Sequence, residues 1–425
     1  MMARFVYTLL FFFAQPLVWL RLAWRARRQP EYLDKVGERY GRYPQPAPER
    51  LIWLHVVSVG ETRAAEPLIK ALLAAYPDHH LLMTHMTPTG RATGGELIGK
   101  YGERLIQAYL PYDLPGACAR FFTHFRPKVG LLMETELWPN LIASAATHGT
   151  PLLLVNARLS ARSLRGYQRF LPLIRPALRQ LAGVAAQTAA DAERLTVIGA
   201  ENVRVFGNIK FDVTPAAEKL ALGGEWRAAF GTRPVWLAAS TREDEEALII
   251  DAFIRHATPD ALLLLVPRHP QRFDAVAALV GTRQLTLQRR SGGVFPDTRT
   301  RVWLGDSMGE MPAYFAAADI VLMGGTFLPF GGQNLIEAAA CGCPVLVGQH
   351  TFNFAQATED AIACGAARRL ADADAAAAEA ARLLQDRDVL VAMRQAAVEF
   401  SQAHRGATAR TVALVEEIRA SRKAD

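Results

Sequence analysis

A chain of 425 residues is long enough for two domains, each with a core of its own. Hydrophobic residues make up 51% of the sequence and charged residues 21%, which excludes a disordered protein. The formal net charge is +7, and most of it comes from arginines spread along the chain. This distribution favours an anionic substrate or an anionic lipid surface, and no nucleic acid is expected as a partner.

The four cysteines argue against disulfides and against a paired metal site. Cys341 and Cys343 flank a single glycine, while Cys118 and Cys364 are isolated. A reduced compartment is therefore expected.

The N-terminal segment is a candidate for membrane contact. Phe5 to Leu20 is almost wholly apolar apart from Gln15-Pro16, and four arginines follow between Arg21 and Arg28. A spanning helix needs about 20 apolar residues, so the run is slightly short. Because the basic residues follow the apolar run, the positive-inside rule places the downstream chain in the cytoplasm. A single anchor or half-inserted helix is favoured over a cleaved signal peptide, and a buried N-terminal helix is the remaining alternative.

Strands alternate with helical segments from residue 51 onward, which predicts a doubly wound parallel sheet. The first half contains predicted strands at Leu51–Val57, Leu81–Thr84, Val129–Met133, Pro151–Val155, Gly183–Ala186 and Val203–Phe206.

A second, similar half follows a predicted linker at Phe211–Gly224. Its predicted strands are Val235–Ala239, Leu262–Val266, Val302–Leu304, Ile320–Met323 and Pro344–Val347. Two such halves would face each other across a cleft lined by the carboxyl ends of the strands, where ligands of open parallel sheets bind. The alanine-rich tail, Ala371 to Ala420, is expected to be helical and to pack back across both halves.

The stretch from Met323 to Gly348 forms a strand, a glycine loop, a short helix and another strand. Asn334 suits the N-cap of that helix, and Glu337 lies where a capping box would put its acid. Glycines let the backbone approach a ligand, and a helix N-terminus suits a phosphate. A nucleotide-sugar pocket is one interpretation, and an ordinary αβ turn with packing glycines is the other.

Polar residues of the first half gather where its strands end. Glu61 follows a strand directly and suits a general base, although a Glu that only complements the helix dipole fits equally. Glu134 and Glu136 are expected to share one strand face by their period of two. Lys210 is a candidate for neutralising a phosphate or a carboxylate, with a solvated surface lysine as the alternative.

The second half offers two further polar groups. Prolines hold Arg268 and His269 stiffly in the segment Pro267–Pro270, and Arg suits bidentate contact with phosphate. Met308-Gly309-Glu310 offers backbone N–H groups and a carboxylate. No Asp-x-Asp pair follows one of the predicted strands, so a metal-bridged diphosphate is not indicated and a monophosphate held by cations is expected instead.

Taken in order, these segments resemble the 3-deoxy-D-manno-octulosonic acid (Kdo) transferases of lipopolysaccharide assembly. The resemblance covers nearly the whole chain. The matching segments are S-V-G-E-T at 58–62, M-T-P-T-G at 86–90, L-P-Y-D-L-P at 110–115, M-E-T-E-L-W-P-N at 133–140, N-A-R-L-S at 156–160, K-F-D at 210–212, P-R-H-P at 267–270, M-G-E at 308–310 and N-L-I-E at 334–337. Gln333 stands before Asn334 where a His is expected, which affects only local contacts.

The resemblance implies a GT-B glycosyltransferase with two Rossmann-like, doubly wound domains facing a cleft. The implied domains are a membrane-anchoring helix at 1–30, an acceptor-binding domain at 31–212 and a CMP-sugar-binding domain at 213–425, whose C-terminal helices return across the cleft. The reaction would be inverting and independent of metal, with no cofactor. Kdo would pass from CMP-Kdo to a lipid A precursor (lipid IVA) at the cytoplasmic face of the inner membrane.

The resemblance also implies roles for individual residues. Glu61 would be the general base, and Glu134 and Lys210 would stabilise the transition state. The residues that would hold CMP are Pro267, Arg268, His269, Met308, Gly309, Glu310, Asn334 and Glu337. Alternative functions are another GT-B enzyme, such as a UDP-sugar transferase or sugar epimerase, and a membrane-attached lipid-carrier or scaffold protein with structural glycine loops.

Overall fold

The computed structural model describes residues 2–212, 214–403 and 405–424, without the side chains of 422–424. It divides into two compact units. Unit 1 is Met1–Asp212 with Arg405–Asp425, and unit 2 is Val213–His404.

Unit 1 is built on a parallel seven-stranded sheet. Its strands are β1 Leu51–His55, β2 His80–His85, β3 Leu105–Tyr109, β4 Val129–Met133, β5 Leu152–Ala157, β6 Gly183–Ala186 and β7 Val203–Val205. Its helices are α1 Met2–Phe13, α2 Gln15–Ala26, α3 Val59–Ala64, α4 Glu66–Ala75, α5 Pro88–Tyr101, α6 Pro115–Phe125, α7 Pro139–Thr147, α8 Ala161–Gln168, α9 Leu171–Leu178 and α10 Ala189–Val197, with the C-terminal helix Ala407–Ala424.

The strand order in unit 1 is β3-β2-β1-β4-β5-β6-β7. All residues of β1, β4 and β5 are buried, because helices cover both faces of the sheet. The chain runs outward from β1 in one direction and resumes at β4 in the other, so the point between β1 and β4 is the topological switch. Ligands of doubly wound sheets bind beside the carboxyl ends of the strands at such a point.

Unit 2 repeats this plan with a second parallel seven-stranded sheet. Its strands are β8 Val235–Thr241, β9 Leu262–Pro267, β10 Leu287–Arg289, β11 Val302–Leu304, β12 Ile320–Met323, β13 Val345–Val347 and β14 Ala367–Arg369. Its helices are α11 Ala217–Phe230, α12 Glu245–His256, α13 Phe273–Thr282, α14 Met311–Ala317, α15 Leu335–Ala340, α16 Ala355–Ala363, α17 Ala373–Gln385 and α18 Arg387–Ala403; the C-terminal helix of unit 1, Ala407–Ala424, is α19.

The order in unit 2 is β10-β11-β9-β8-β12-β13-β14, which puts its switch point between β8 and β12. The α/β class and the two doubly wound parallel sheets are thereby confirmed. The helical tail is also confirmed, and its last helix, α19, belongs to unit 1. The predicted domain limits and the cleft stay predictions.

Three strands were absent from the sequence prediction, and all three are edge strands: β3, β10 and β14. Edge strands carry polar side chains because one of their sides is not paired, so their apolar run is short. Gln107 in β3 and Arg368 in β14 interrupt the pattern in this way.

The predicted linker, Phe211–Gly224, is wrong over its second half. Helix α11 begins at Ala217 and runs through both glycines of the segment. A Cβ on Gly223 would lie 2.5 Å from the Ala313 carbonyl oxygen in α14. The glycines that weaken the helical pattern therefore permit close packing of two helices.

The N-terminal helices α1 and α2 meet at a bend of 47°. Within the part of the chain that the structure describes, no single helix is both long enough and apolar enough to cross a membrane. The bent pair of α1 and α2 meets both criteria when the two helices are counted together. The buried-helix alternative is wrong for α1, since none of its residues is buried. Phe5, Leu10 and Phe13 are 68%, 65% and 68% exposed.

Polar contacts nevertheless fasten α1 to unit 1. The Asp113 carboxylate accepts a hydrogen bond from the Tyr7 hydroxyl. Thr8 Oγ1 and the Asn140 side chain exchange hydrogen bonds of 3.1 and 3.0 Å. Helix α1 therefore has one face on the protein and another, apolar face that is uncovered.

Candidate functional site

Three carboxylates and a lysine gather at the switch point of unit 1. Glu61 follows β1 and Glu134 follows β4, so the two adjacent strands that flank the switch point each supply one acid. Glu136 lies two residues further on, and Lys210 follows β7. The structure thus brings together the three residues predicted to be catalytic, Glu61, Glu134 and Lys210.

Glu61 lies in the first turn of α3 and is held on both carboxylate oxygens. Its Oε2 accepts the Val57 N–H at 2.8 Å, and its Oε1 accepts the Ser58 hydroxyl at 3.1 Å. The pKa of Glu61 is raised to about 7. Burial is the largest cause, the charges of Glu134 and Glu136 add to it, and the two hydrogen bonds act in the opposite direction. A carboxylate with this pKa can both accept and release a proton near neutral pH.

Lys210 forms an ion pair with Glu134. Its Nζ lies 3.7 Å from Glu134 Oε1, and the two side chains are 21% and 24% exposed. The Asn156 side chain accepts the Ile209 N–H at 3.0 Å and so fixes the backbone beside Lys210. The solvated-lysine alternative is therefore wrong.

Two residues at the carboxyl ends of the central strands have left-handed backbones: Glu134, which follows β4 directly, and Asn156, the next-to-last residue of β5. Glu134 has φ of 59° and Asn156 has φ of 52°, a region that side-chain-bearing residues rarely adopt. Such strain persists where the surrounding structure imposes it, and it concentrates at functional sites. The two residues lie on adjacent strands, β4 and β5, at the same edge of the sheet.

The expectation that Glu134 and Glu136 share a strand face is wrong. Strand β4 ends at Met133, and the positive φ of Glu134 turns the chain before a second strand residue can follow. Glu136 instead accepts the Trp138 indole N–H at 2.7 Å. Burial is the largest cause of its raised pKa, and Glu134 adds to it.

In unit 2 a buried carboxylate spans the switch point. Glu245, at the start of α12 after β8, is 0% exposed. Its Oε2 accepts the N–H groups of Arg242 and Gly325 at 3.0 and 2.6 Å. Its Oε1 accepts those of Phe327 and Leu328 at 3.0 and 3.3 Å. One side chain therefore fixes the glycine loop that follows β12 to the turn that follows β8.

Further contacts fix the glycine loop that follows β12. The Thr326 hydroxyl donates to the Met323 carbonyl at 2.6 Å and accepts the Gly348 N–H at 2.8 Å. A Cβ on Gly324 would lie 2.4 Å from the Ser240 carbonyl oxygen, so glycine is required for this close approach. The loop from 324 to 333 is thus rigidly placed at the carboxyl edge of the sheet.

The loop leads to Asn334, which caps α15 as predicted. Its Oδ1 accepts the Ile336 N–H at 3.2 Å. Glu337, the acid of the predicted capping box, contacts the cap residue through its side chain, since Glu337 Oε1 accepts the Asn334 side-chain amide at 3.0 Å. Helix α15 also reaches α14, where the Cys341 thiol lies 3.8 Å from the Pro312 carbonyl oxygen.

The Pro267–Pro270 segment lies at the end of β9, next to β8. Pro267 is the last strand residue, and the Arg268 N–H donates to the Thr241 carbonyl at 2.9 Å. Partial burial, followed by the charge of Arg242, lowers the pKa of His269. A neutral imidazole beside an arginine can donate a hydrogen bond to a phosphate or accept one from a base.

The Met308–Glu310 segment follows β11, the strand beside β9. Gly309 has φ of 76°, and Met308 is 64% exposed. Glu310 is fixed by Arg290, whose Nη2 lies 3.0 Å from Glu310 Oε1, and by the Ser307 hydroxyl. All eight residues predicted to hold CMP therefore lie in unit 2, at or shortly after the ends of β9, β11 and β12, and Glu337 lies in the first turn of α15.

Two residues that shape this edge, Glu245 and Arg290, were missed in the sequence. Glu245 lies in the acidic run E-D-E-E at 243–246, which has the composition of a solvated helix start. Arg290 lies in a segment without a clear strand pattern. Across residues 2–212, 214–403 and 405–424, no group of three or more His, Cys, Asp or Glu side chains is arranged to hold a metal ion.

Two family models match the chain, one in each half. The model described as 3-deoxy-D-manno-octulosonic-acid transferase (kdotransferase) matches residues 34–213. The model described as glycosyl transferases group 1 matches residues 238–400.

Solved structures share the fold at low sequence identity. A glycosyltransferase from Rickettsia africae aligns with a TM-score of 0.55 at 14% identity, covering 88% of this chain and 99% of its own. A UDP-GlcNAc 2-epimerase from Neisseria meningitidis aligns with a TM-score of 0.55 at 14% identity, covering 87% of this chain and 100% of its own. At this identity the likeness concerns the fold alone.

Relatives of known name are much more similar in sequence. The 3-deoxy-D-manno-octulosonic acid transferase of Bordetella pertussis is 48% identical, over 98% of this chain and 99% of that protein. The protein of the same name in Haemophilus influenzae is 38% identical, over 83% of this chain and 84% of its own. The chain therefore belongs to the 3-deoxy-D-manno-octulosonic acid transferase family and is a glycosyltransferase.

Proposed function

We propose that this enzyme transfers Kdo from CMP-Kdo to a hydroxyl of a lipid A precursor, lipid IVA, with inversion and without a metal ion or cofactor. Unit 1 supplies the base and unit 2 binds the donor nucleotide. The observation that carries the proposal is Glu61, a carboxylate with a pKa of about 7 beside the Lys210–Glu134 ion pair. It supports a base that is half-ionised near neutral pH, in a chain whose relatives are Kdo transferases.

The proposed reaction is a single displacement at the anomeric carbon of Kdo. Glu61 takes the proton of the acceptor hydroxyl, while the oxygen of that hydroxyl attacks the anomeric carbon from the face opposite the phosphate. The bond from the carbon to the phosphate oxygen breaks, and its electron pair leaves with CMP. Lys210 and Glu134 keep the local charge balanced while positive charge develops on the sugar, a preorganised electrostatic effect.

The donor is proposed to bind in the loops after β9, β11 and β12. Arg268 suits the single phosphate of CMP, since a guanidinium binds phosphate oxygens through two N–H groups. Glu337 and Glu310 are carboxylates suited to hydroxyls or to the amino group of cytosine. One phosphate carries less charge than a diphosphate, so cationic side chains can neutralise it directly.

The acceptor is a lipid, and we propose that α1 and α2 hold the enzyme on the cytoplasmic face of the inner membrane. Phe5, Leu10 and Phe13 form an uncovered apolar surface. Helix α1 is tied to unit 1 through Tyr7 and Thr8, which favours a helix that lies in the membrane interface over one that leaves the protein to span it.

Nucleotide protection tests the donor assignment. We expect CMP to raise the midpoint of thermal unfolding, because a ligand that binds only the folded state stabilises it. UMP, UDP and UDP-GlcNAc serve as controls at the same concentrations. Equal protection by UDP-GlcNAc would contradict a CMP-sugar donor and favour a UDP-sugar enzyme.

A further inference from the structure

Helix α8, Ala161–Gln168, carries a stripe of arginines that the proposed reaction does not use. Arg162 and Arg165 are three positions apart, and Arg169, the C-cap residue, follows four positions later. Residues at these spacings lie on one helix face. All three side chains are exposed, whereas Leu164 and Tyr167 on the other face pack against the core of unit 1.

These arginines have no carboxylate partner among the residues that the structure describes, although many other arginines of the chain do. Arg179 pairs with Glu201 at 3.1 Å, and Arg204 pairs with Glu417 at 2.6 Å. Like charges at these spacings destabilise a helix. A stripe that is unfavourable for the helix and uncompensated within unit 1 points to an anionic partner outside the protein.

Helix α8 lies close to the acid cluster, and helix α9 connects it to the apolar N-terminal helix. The charge of Glu136 contributes to the raised pKa of Tyr167, so the inner face of α8 is close to the acids at the switch point. Helix α8 packs on α9, and α9 packs on α1. At the end of α8, Phe170 is 62% exposed. The arginine stripe and the apolar helix α1 therefore belong to one group of packed helices, α8, α9 and α1, near the acids.

We propose that the arginine stripe of α8 docks unit 1 on the surface of a bilayer that contains anionic phospholipids. The apolar face of α1 enters the interface, and Arg162, Arg165 and Arg169 contact lipid phosphates beside it. This arrangement holds the acid cluster at headgroup level, where a lipid acceptor presents its hydroxyl. The biological role of this docking rests on the proposed lipid acceptor, whereas the experiment that tests it needs no acceptor.

The test is partitioning of the full-length protein between buffer and vesicles, with neither donor nor acceptor present. Vesicles of phosphatidylcholine alone are compared with vesicles that contain 30% phosphatidylglycerol, and the measured quantity is the ratio of the two partition coefficients. Each arginine near an anionic surface contributes about fivefold. We expect the triple variant R162Q/R165Q/R169Q to lower the ratio at least tenfold, and R162K/R165K/R169K to keep it near the wild-type value.

The matched control is R50Q/R126Q/R179Q, which removes the same charge. These three residues are exposed, and each lies a few residues before the start of a strand, whereas α8 follows the end of β5. Arg50 and Arg179 pair with Asp78 and Glu201, so the control also tests whether paired arginines contribute. The control is expected to keep the wild-type ratio, and protection by CMP checks that each variant is folded. A wild-type ratio in R162Q/R165Q/R169Q, or an equal loss in the control, would overturn the proposal. Failure of sugar transfer with detergent-dispersed acceptor would concern the proposed function instead.

Discussion

Lys210 Nζ lies 3.7 Å from Glu134 Oε1, in the same group as Glu61. The pair joins the segment after β7 to the segment after β4, and it places a cation among three carboxylates. The charges that act on the pKa of Glu61, those of Glu134 and Glu136, are both negative. The ion pair therefore binds a positive charge to one of the two carboxylates that raise the pKa of Glu61, the group proposed to move the proton.

The first prediction concerns the pH dependence of transfer. Because only ionised Glu61 accepts a proton, kcat/KM should rise with pH through about 7 and level off above it. Glu61→Gln should lower kcat by about 1,000-fold or more, which is the rate loss expected when a general base is removed. The Kd for CMP should stay within about twofold of the wild-type value. Initial rates between pH 5 and 9 measure this; a flat profile in the wild type would contradict the role of Glu61.

The second concerns Lys210. Lys210→Met removes the cation, so the carboxylates of Glu134 and Glu136 should raise the pKa of Glu61 further. We expect the rising limb of the pH profile to move to higher pH and kcat to fall about 100-fold. Lys210→Arg keeps the charge and should restore the limb toward that of the wild type. Equal profiles for the Met and Arg variants would exclude an electrostatic role.

The third concerns stability. The pKa of Glu61 is raised by folding from 4.5 to about 7, so the folded state binds the proton more tightly. Its contribution to stability is fully present below pH 4.5 and is lost as pH rises through about 7. In urea unfolding, the wild type should therefore lose on the order of 2 kcal/mol relative to Glu61→Gln between pH 4.5 and 8. Parallel pH profiles would contradict the raised pKa.

The fourth concerns Glu245. Glu245→Gln replaces one carboxylate oxygen by an amide NH₂, so two of the four N–H groups it binds lose their acceptor. The loop from 324 to 333 should loosen, and the Kd for CMP and the KM for the donor should rise about tenfold. The KM for the acceptor should stay unchanged. Isothermal titration with CMP and steady-state kinetics measure these values.

Glu246→Gln is the matched control for that variant. Glu246 is equally buried, and its carboxylate binds the side chains of Thr241 and Arg272, whereas that of Glu245 binds backbone N–H groups of the glycine loop. We expect it to lose a similar amount of stability with a smaller change in CMP affinity. If both variants lose CMP affinity equally, Glu245 acts through general destabilisation and not through the loop.

The central strands were predictable because they are buried on both faces. Runs such as Val129–Met133 and Ile320–Met323 are continuously apolar, and their predicted limits equal the observed ones. The edge strands β3, β10 and β14 escaped prediction, since polar residues interrupt their short runs. Helix α11 was not predicted because it contains Gly223, a residue with low helix propensity. Glycine is needed at this position for close packing against α14.

The site residues that could be predicted from the sequence are those that follow a predicted strand. Glu61, Glu134 and Lys210 each follow a strand, and doubly wound topology brings such residues to one edge. The positive φ of Glu134 and the contacts of Glu245 depend on tertiary structure and have no local pattern in the sequence. The roles proposed for these residues, and for the eight donor-binding residues, stay predictions until they are measured.

The most direct measurement is transfer from CMP-Kdo, generated in situ, to tetra-acylated lipid A precursor in the presence of EDTA, followed by mass spectrometry of the lipid. The wild type should add Kdo to the lipid, while Glu61→Gln should add none although CMP still protects it from thermal unfolding. Product formation by Glu61→Gln at a rate near that of the wild type would contradict the assignment of Glu61 as the base.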